Sequence, residues 1–222
     1  MKIDILTLFP KMFDGPFRES IIGRAQERGL VEIIIHDLRP YGIGRHKQVD
    51  DRPYGGGVGM VLMVEPIHNA LKDLRSKYSK VILMTPQGQV FNQTKAKELV
   101  NETHLILVAG RYEGFDERIR EKLVDEELSV GDYILTGGEL PAMVIAETVT
   151  RLIPGVLDKP EATDKESFSD PNRLENPQYT HPYDFNGWKV PDILLSGHHE
   201  EIEKWKQEKS KEKTKKNRPD LL

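Results

Sequence analysis

The chain has 222 residues and a formal net charge of −4, room for one large domain or for one domain with a small appendage. Hydrophobic residues make up 37% and charged residues 31%, so a core can form and long disorder is confined to local stretches. The absence of cysteine excludes disulfides and thiolate metal sites, no stretch approaches the ~18 apolar residues of a membrane span, and the opening MKIDILTLFP lacks the length and cleavage site of a signal peptide, so a cytoplasmic protein is expected.

Residues 2–8 read as a strand and residues 16–28 as a helix, with Phe17, Ile21 and Ala25 on one face and Gly29 as its stop. Residues 31–38, VEIIIHDL, are a β-branched second strand. An irregular segment over 39–63 follows and contains DDRPYGGGVGM. Residues 66–78 form a helix with Ile67, Ala70, Leu71 and Leu74 inward, and residues 80–84 a strand running into Thr85-Pro86-Gln87-Gly88. Asn92 is placed to cap a helix to about residue 102, residues 104–108 are a strand ending in AGRYEG, and residues 116–124 a helix.

The chain is organised around residues 129–154, SVGDYILTGGELPAMVIAETVTRLIP. The apolar run Tyr133-Ile134-Leu135 reads as a strand end, crosses Thr136-Gly137-Gly138 and enters a helix with Pro141 in its first turn. Ala142, Ile145, Ala146 and Val149 recur at helical spacing until Pro154-Gly155 stops the helix. Alternating strands and helices predict an α/β fold with a mostly parallel sheet. The strand carboxyl ends of such a sheet share one edge, so the loops TPQGQ, AGRYEG and ILTGGE should crowd there around a ligand.

After Pro154 the texture changes. Residues 158–176 are rich in Asp, Glu, Ser and Pro and read as an exposed linker, and residues 191–195 and 202–205 anchor a small helical appendage. Residues 204–218 carry eight Lys and Arg against Glu208 and Glu212, a net +6 on an otherwise acidic chain. A basic tail suits a polyanionic partner, and equally a solvated helix end. The phosphate loop GxxxxGK[ST], a GxGxxG after the first strand, HExxH and GxSxG are all absent, which disfavours nucleotide hydrolases, dinucleotide-binding domains, zinc proteases and α/β-hydrolases. His198-His199 reads as a helix start. The four glycines among residues 55–59 suit either a surface loop or backbone laid against a flat ligand, and Arg111-Tyr112-Glu113 either a salt-bridged turn or a ligand edge.

The combination VDDRPYGGGVGM (49–60), TPQG (85–88), AGRYEGFDERI (109–119), SVGDYILTGGELPAM (129–143), RLIPGVL (151–157) and LLSGHH (194–199) closely resembles the bacterial tRNA (guanine-N1)-methyltransferase family of the knotted SPOUT superfamily. The resemblance implies an α/β fold with a C-terminal trefoil knot plus a small helical domain. It implies a knotted catalytic domain over 1–158, a flexible linker carrying the base over 159–176, and a shortened tRNA-binding domain over 177–222. It implies methyl transfer from S-adenosylmethionine to N1 of guanine 37 of tRNA, with Mg²⁺ as a further requirement of the family, and a homodimer with its site across the interface. Relatives acting on another RNA, or binding RNA without catalysis, are the alternatives.

Carried over by motif, the donor pocket comprises Pro86, Gly88, Gly110, Tyr112, Glu113, Val130, Gly131, Asp132, Tyr133, Ile134, Leu135, Gly137 and Gly138. The glycines are expected because a side chain would fill the cofactor's space. Arg151 is the expected catalytic cation. Where the family has an aspartate before Ser-Phe, this chain has Glu166 before Ser167-Phe168, so Glu166 is the expected base and Asp164 its competitor. Substrate contacts are expected from Asp50, Gly59, Ser196, Lys204, Lys215 and Arg218.

Overall fold

The computed structural model describes residues 1–222, except for the side chains of residues 160 and 161. The chain divides into two compact units, Met1–Asp158 and Lys159–Leu222.

The first unit is built on five parallel strands: β1 (Lys2–Thr7), β2 (Glu32–Asp37), β5 (Ser79–Val90), β6 (His104–Ala109) and β7 (Glu126–Ser129), in the order β2-β1-β6-β5-β7. Two short strands, β3 (Asp50–Asp51) and β4 (Val61–Leu62), pair antiparallel within the segment expected to be irregular and bracket the glycine-rich loop. The helices are α1 (Ser20–Glu27), α2 (Val64–Leu74), α3 (Gln93–Leu99), α4 (Glu117–Leu123) and α5 (Glu139–Thr150).

Strand residues alternate between two cores. Ile3, Ile5, Ile82, Leu105 and Leu107 pack with Ile22, Leu99, Ala142, Ile145 and Val149 of α1, α3 and α5. Leu6, Val81, Leu83, Ile106 and Val108 pack with Ile67, Leu71 and Ile119 of α2 and α4. Helices thus cover both sheet faces, which is why residues 81–84 of β5 and 105–109 of β6 are continuous apolar runs.

Three sequence expectations shift. The first helix begins at Ser20 rather than at residue 16, because Phe13 and Phe17 instead stack on each other, rings 5.8 Å apart, as buried plugs ahead of it. Strand β5 does not stop at Met84. Met84 and Gln89 both pair with Leu128, so residues 85–88 bulge out and the strand resumes to Val90. Tyr133-Ile134-Leu135 is not strand, and Ile134 is 82% exposed. The strand of that region is β7, EELS, whose glutamates are matched by Lys80 and Lys95 (Glu126) and by Arg120 (Glu127).

In the second unit, β8 (Asp184–Phe185) and β9 (Trp188–Lys189) form a hairpin over Asn186-Gly187, both at positive φ. Helix α6 runs from His199 to Asn217. It is charged along most of its length, and its buried contacts come from Ser210 and Thr214. The Leu174 amide donates to Thr214 Oγ1 at 3.0 Å, and Ser210 Oγ donates to the Leu174 carbonyl at 2.6 Å, pinning the stretch before the hairpin along the helix. Among the described residues no helix is long and apolar enough to cross a membrane.

Candidate cofactor site

The bulge of β5, the loop after β6 and the loop between β7 and α5 meet at the carboxyl edge of the sheet. They are joined backbone to backbone. The Gly138 amide donates to the Gly110 carbonyl at 2.8 Å. A Cβ at Gly138 would stand 2.8 Å from Gly110 N and 2.9 Å from Ala109 Cα. One at Gly88 would stand 2.5 Å from the Leu128 amide, and one at Gly110 2.2 Å from the Phe115 ring. These glycines are therefore required by the close approach of the protein's own loops, a reason different from the one the sequence suggested, which was room for a cofactor.

What the loops leave between them is a cavity of ≈390 Å³, within the roughly 300–1,000 Å³ of small-molecule sites. Of the expected pocket residues, Pro86, Gly110, Tyr112, Glu113, Val130, Gly131, Tyr133, Ile134, Leu135, Gly137 and Gly138 line it, while Gly88 and Asp132 do not. Gly88 acts one step back, in the contact with β7. Exposed backbone, two tyrosine rings and apolar Ile134 and Leu135 suit an adenosine and its ribose, so the cavity fits the donor that the resemblance implies.

Tyr112 holds a left-handed backbone, φ 63°, at the rim. Burial first, and then the Asp50 carboxylate, push its phenol pKa up. That places Asp50 beside the cavity's rim. Gly59 lies against the Glu113 side chain, and the Glu113 amide donates to the Met60 carbonyl at 3.0 Å, so the glycine-rich loop reaches the same rim. A non-glycine residue held in this conformation is strained, and such strain gathers at functional sites.

Two cations on the cavity wall were not assigned from the sequence. Arg111 forms a 2.9 Å ion pair with Glu139, whose side chain is 1% exposed. Arg120 donates to Thr85 Oγ1 at 3.1 Å and pairs with Glu127, tying α4 to the β5 bulge and to β7. Arg111 carried a signal, the salt-bridged-turn reading of Arg111-Tyr112-Glu113. Arg120 carried none, since it sits among ordinary helix charges.

Arg151 is the C-terminal cap residue of α5. Asp164 and Glu166 belong to the second unit, where they line a polar hollow of ≈420 Å³ with Lys165, Ser169, Arg173 and Lys206. Of the expected substrate contacts there, Ser196 Oγ donates to the Ile193 carbonyl at 2.8 Å, ending a 3₁₀ turn. Arg218 is held by Asp220 at 2.7 Å, while Lys204 and Lys215 stand on α6, Lys215 in its last turn. Among the described residues no group of three or more His, Asp or Glu side chains is arranged to hold a metal ion.

The family described as tRNA (Guanine-1)-methyltransferase TrmD matches residues 1–222. A tRNA (guanine-N(1)-)-methyltransferase of Halalkalibacterium halodurans is 57% identical over all of this chain and 91% of its own length. Proteins of the same name from Dictyoglomus turgidum and Staphylococcus carnosus are 54% and 52% identical over all of this chain and 90% and 91% of theirs.

Proposed function

The chain belongs to the tRNA (guanine-1)-methyltransferase family, and we propose that it transfers the methyl group of S-adenosylmethionine to N1 of guanine 37 in tRNA. The observation that carries this reading is the glycine-joined cavity at the sheet's carboxyl edge, lined by the residues that the family resemblance assigns to the donor.

S-adenosylmethionine supplies an electrophilic methyl on a sulfonium centre. The protein's tasks are then to position the guanine and to make its N1 nucleophilic. N1 carries a proton, and its loss drives negative charge onto the adjacent O6. Glu166, with Asp164 as the second candidate, takes that proton. Arg151 sets its positive charge against O6 as the charge grows. The freed N1 pair forms the new bond to the methyl carbon, and the sulfur keeps the pair of the bond that breaks.

Residues 130–135 would hold the donor's adenine and ribose, within a trefoil knot formed by the three joined loops. The basic half of α6 contacts the tRNA backbone. Two chains form a dimer with the site across the interface. Leu140 and Val144, 51% and 47% exposed on α5, supply an apolar face for that contact. No step is assigned to Mg²⁺, because among the described residues no cluster of three or more His, Asp or Glu side chains is arranged to hold it.

The test is mass spectrometry of a tRNA bearing guanine at position 37 after incubation with protein and donor. One 1-methylguanosine at that position is expected, and none when the guanine is replaced. Methylation of ribosomal RNA alone would reassign the substrate.

A further inference from the structure

Glu139 is the first residue of α5 and lies beneath the cavity, outside its lining. Its carboxylate is 1% exposed, a costly place for a charge unless it is matched. Oε1 accepts a hydrogen bond from Thr7 Oγ1, at the end of β1, at 2.9 Å. Oε2 lies 2.9 Å from Arg111 Nε, in the loop after β6. Neither Arg111 Nε nor Glu139 Oε2 makes an aligned hydrogen bond, so charge rather than bond geometry holds the pair. The N-terminal end of α5 adds to the stability of a negative charge there.

Arg111 carries the constraint onward. Its guanidinium donates to the Thr136 carbonyl at 3.2 Å and to Thr136 Oγ1 at 3.3 Å, and it lies 4.5 Å from the Phe9 ring centroid. Thr136, Gly137 and Gly138 are cavity wall. A Cβ at Gly137 would stand 2.4 Å from Arg111 Nε and 2.5 Å from Glu139 Oε2, so the wall is laid directly onto the pair.

We propose that Glu139 is a positioning residue of the S-adenosylmethionine site: its buried charge holds Arg111, and Arg111 holds the wall formed by residues 136–138. The inference rests on the functional reading above and goes beyond it by giving a task to a residue that does not touch the donor. A carboxylate is needed because a neutral side chain of the same shape keeps the Thr7 contact and loses the hold on Arg111.

The experiment is calorimetric titration of S-adenosylmethionine into the full-length wild type, Glu139→Gln, Arg111→Met, the double variant and Ile67→Val. Unfolding midpoints are measured on the same samples. Ile67, on α2, is fully buried in the second core and serves as the purely structural control. Glu139→Gln should weaken donor binding by about tenfold or more, the scale of one charge-assisted interaction. Arg111→Met should do the same, and the double variant should lose no more than the worse single one. Ile67→Val should lower the midpoint and leave affinity within about twofold, as its buried methyl lies away from the cavity. Wild-type affinity in folded Glu139→Gln, or fully additive losses, would overturn the proposal. If Glu139→Gln does not fold, unchanged affinity in Arg111→Met overturns it equally. A wild type that binds no donor would instead sink the functional reading, so the two failures are told apart.

Discussion

The Gly138 amide donates to the Gly110 carbonyl at 2.8 Å, and a Cβ on Gly138 would come as close to the Gly110 nitrogen. One glycine precedes α5 and the other follows β6. The site's shape is thus set by how tightly two loops can touch.

Gly138→Ala should therefore be a severe change despite its size. The added methyl meets backbone at Gly110 and Ala109, which cannot swing aside as a side chain would. Overpacking of this kind costs about 1–3 kcal/mol. Thermal unfolding should show that loss, and donor titration should show an affinity drop beyond it. An alanine variant as stable as the wild type would mean that the loops can separate freely.

Asp4 predicts an acid-dependent term in stability. It is fully buried on β1, with Oδ1 2.8 Å from His36 Nε2 and Oδ2 2.7 Å from His104 Nε2 and 2.8 Å from Lys2 Nζ. Burial pushes its carboxyl pKa up, but hydrogen bonds from His36, Lys2 and His104 pull it down from 3.8 to about 2. A depressed carboxylate adds stability above its unfolded pKa and loses it as pH falls through the folded one. The stability gap between wild type and Asp4→Asn should be about 2 kcal/mol at neutral pH and close between about pH 4 and pH 2. Denaturant titrations at stepped pH measure it, and a gap that persists at pH 2 would refute the assignment.

Much of this organisation was legible beforehand, and the exceptions have physical causes. Residues 105–109, LILVA, are fully apolar because helices cover both faces of the sheet there, and VEIIIHDL is rich in β-branched residues, so both strands could be found from composition. Strand β7 was hidden because EELS carries two glutamates, which are tolerated only through Lys80, Lys95 and Arg120 arriving from β5, α3 and α4. Tyr133-Ile134-Leu135 was misleading in the opposite sense, an apolar run that stands at the cavity instead of in the sheet. The cavity residues were reached through motif resemblance. The tasks of Glu139 and Arg120 depend on partners distant in sequence, 132 residues away for Thr7 and Glu139, which no local pattern records.

Arg151→Ala should separate chemistry from donor binding. Loss of a cation or donor aimed at a developing oxyanion costs about 10²–10³ in rate. Single-turnover methyl transfer should fall by about that factor, while donor affinity stays within about twofold. Normal turnover by the variant would remove Arg151 from the mechanism.

The choice of base is decided by two isosteric changes. Glu166→Gln should lower the single-turnover rate by about 10²–10⁴, the usual worth of a positioned base, and Asp164→Asn should leave most of it. The opposite pattern transfers the role to Asp164. Full activity in both would place the base outside this segment.

The central claim is that the cavity between the three joined loops is where the methyl donor sits. A crystal structure of the wild type with S-adenosylmethionine tests it most directly. The account predicts adenine and ribose against residues 130–135, with Gly110 and Gly138 at the cavity wall. Donor bound anywhere else on the chain, with this cavity empty, would contradict it.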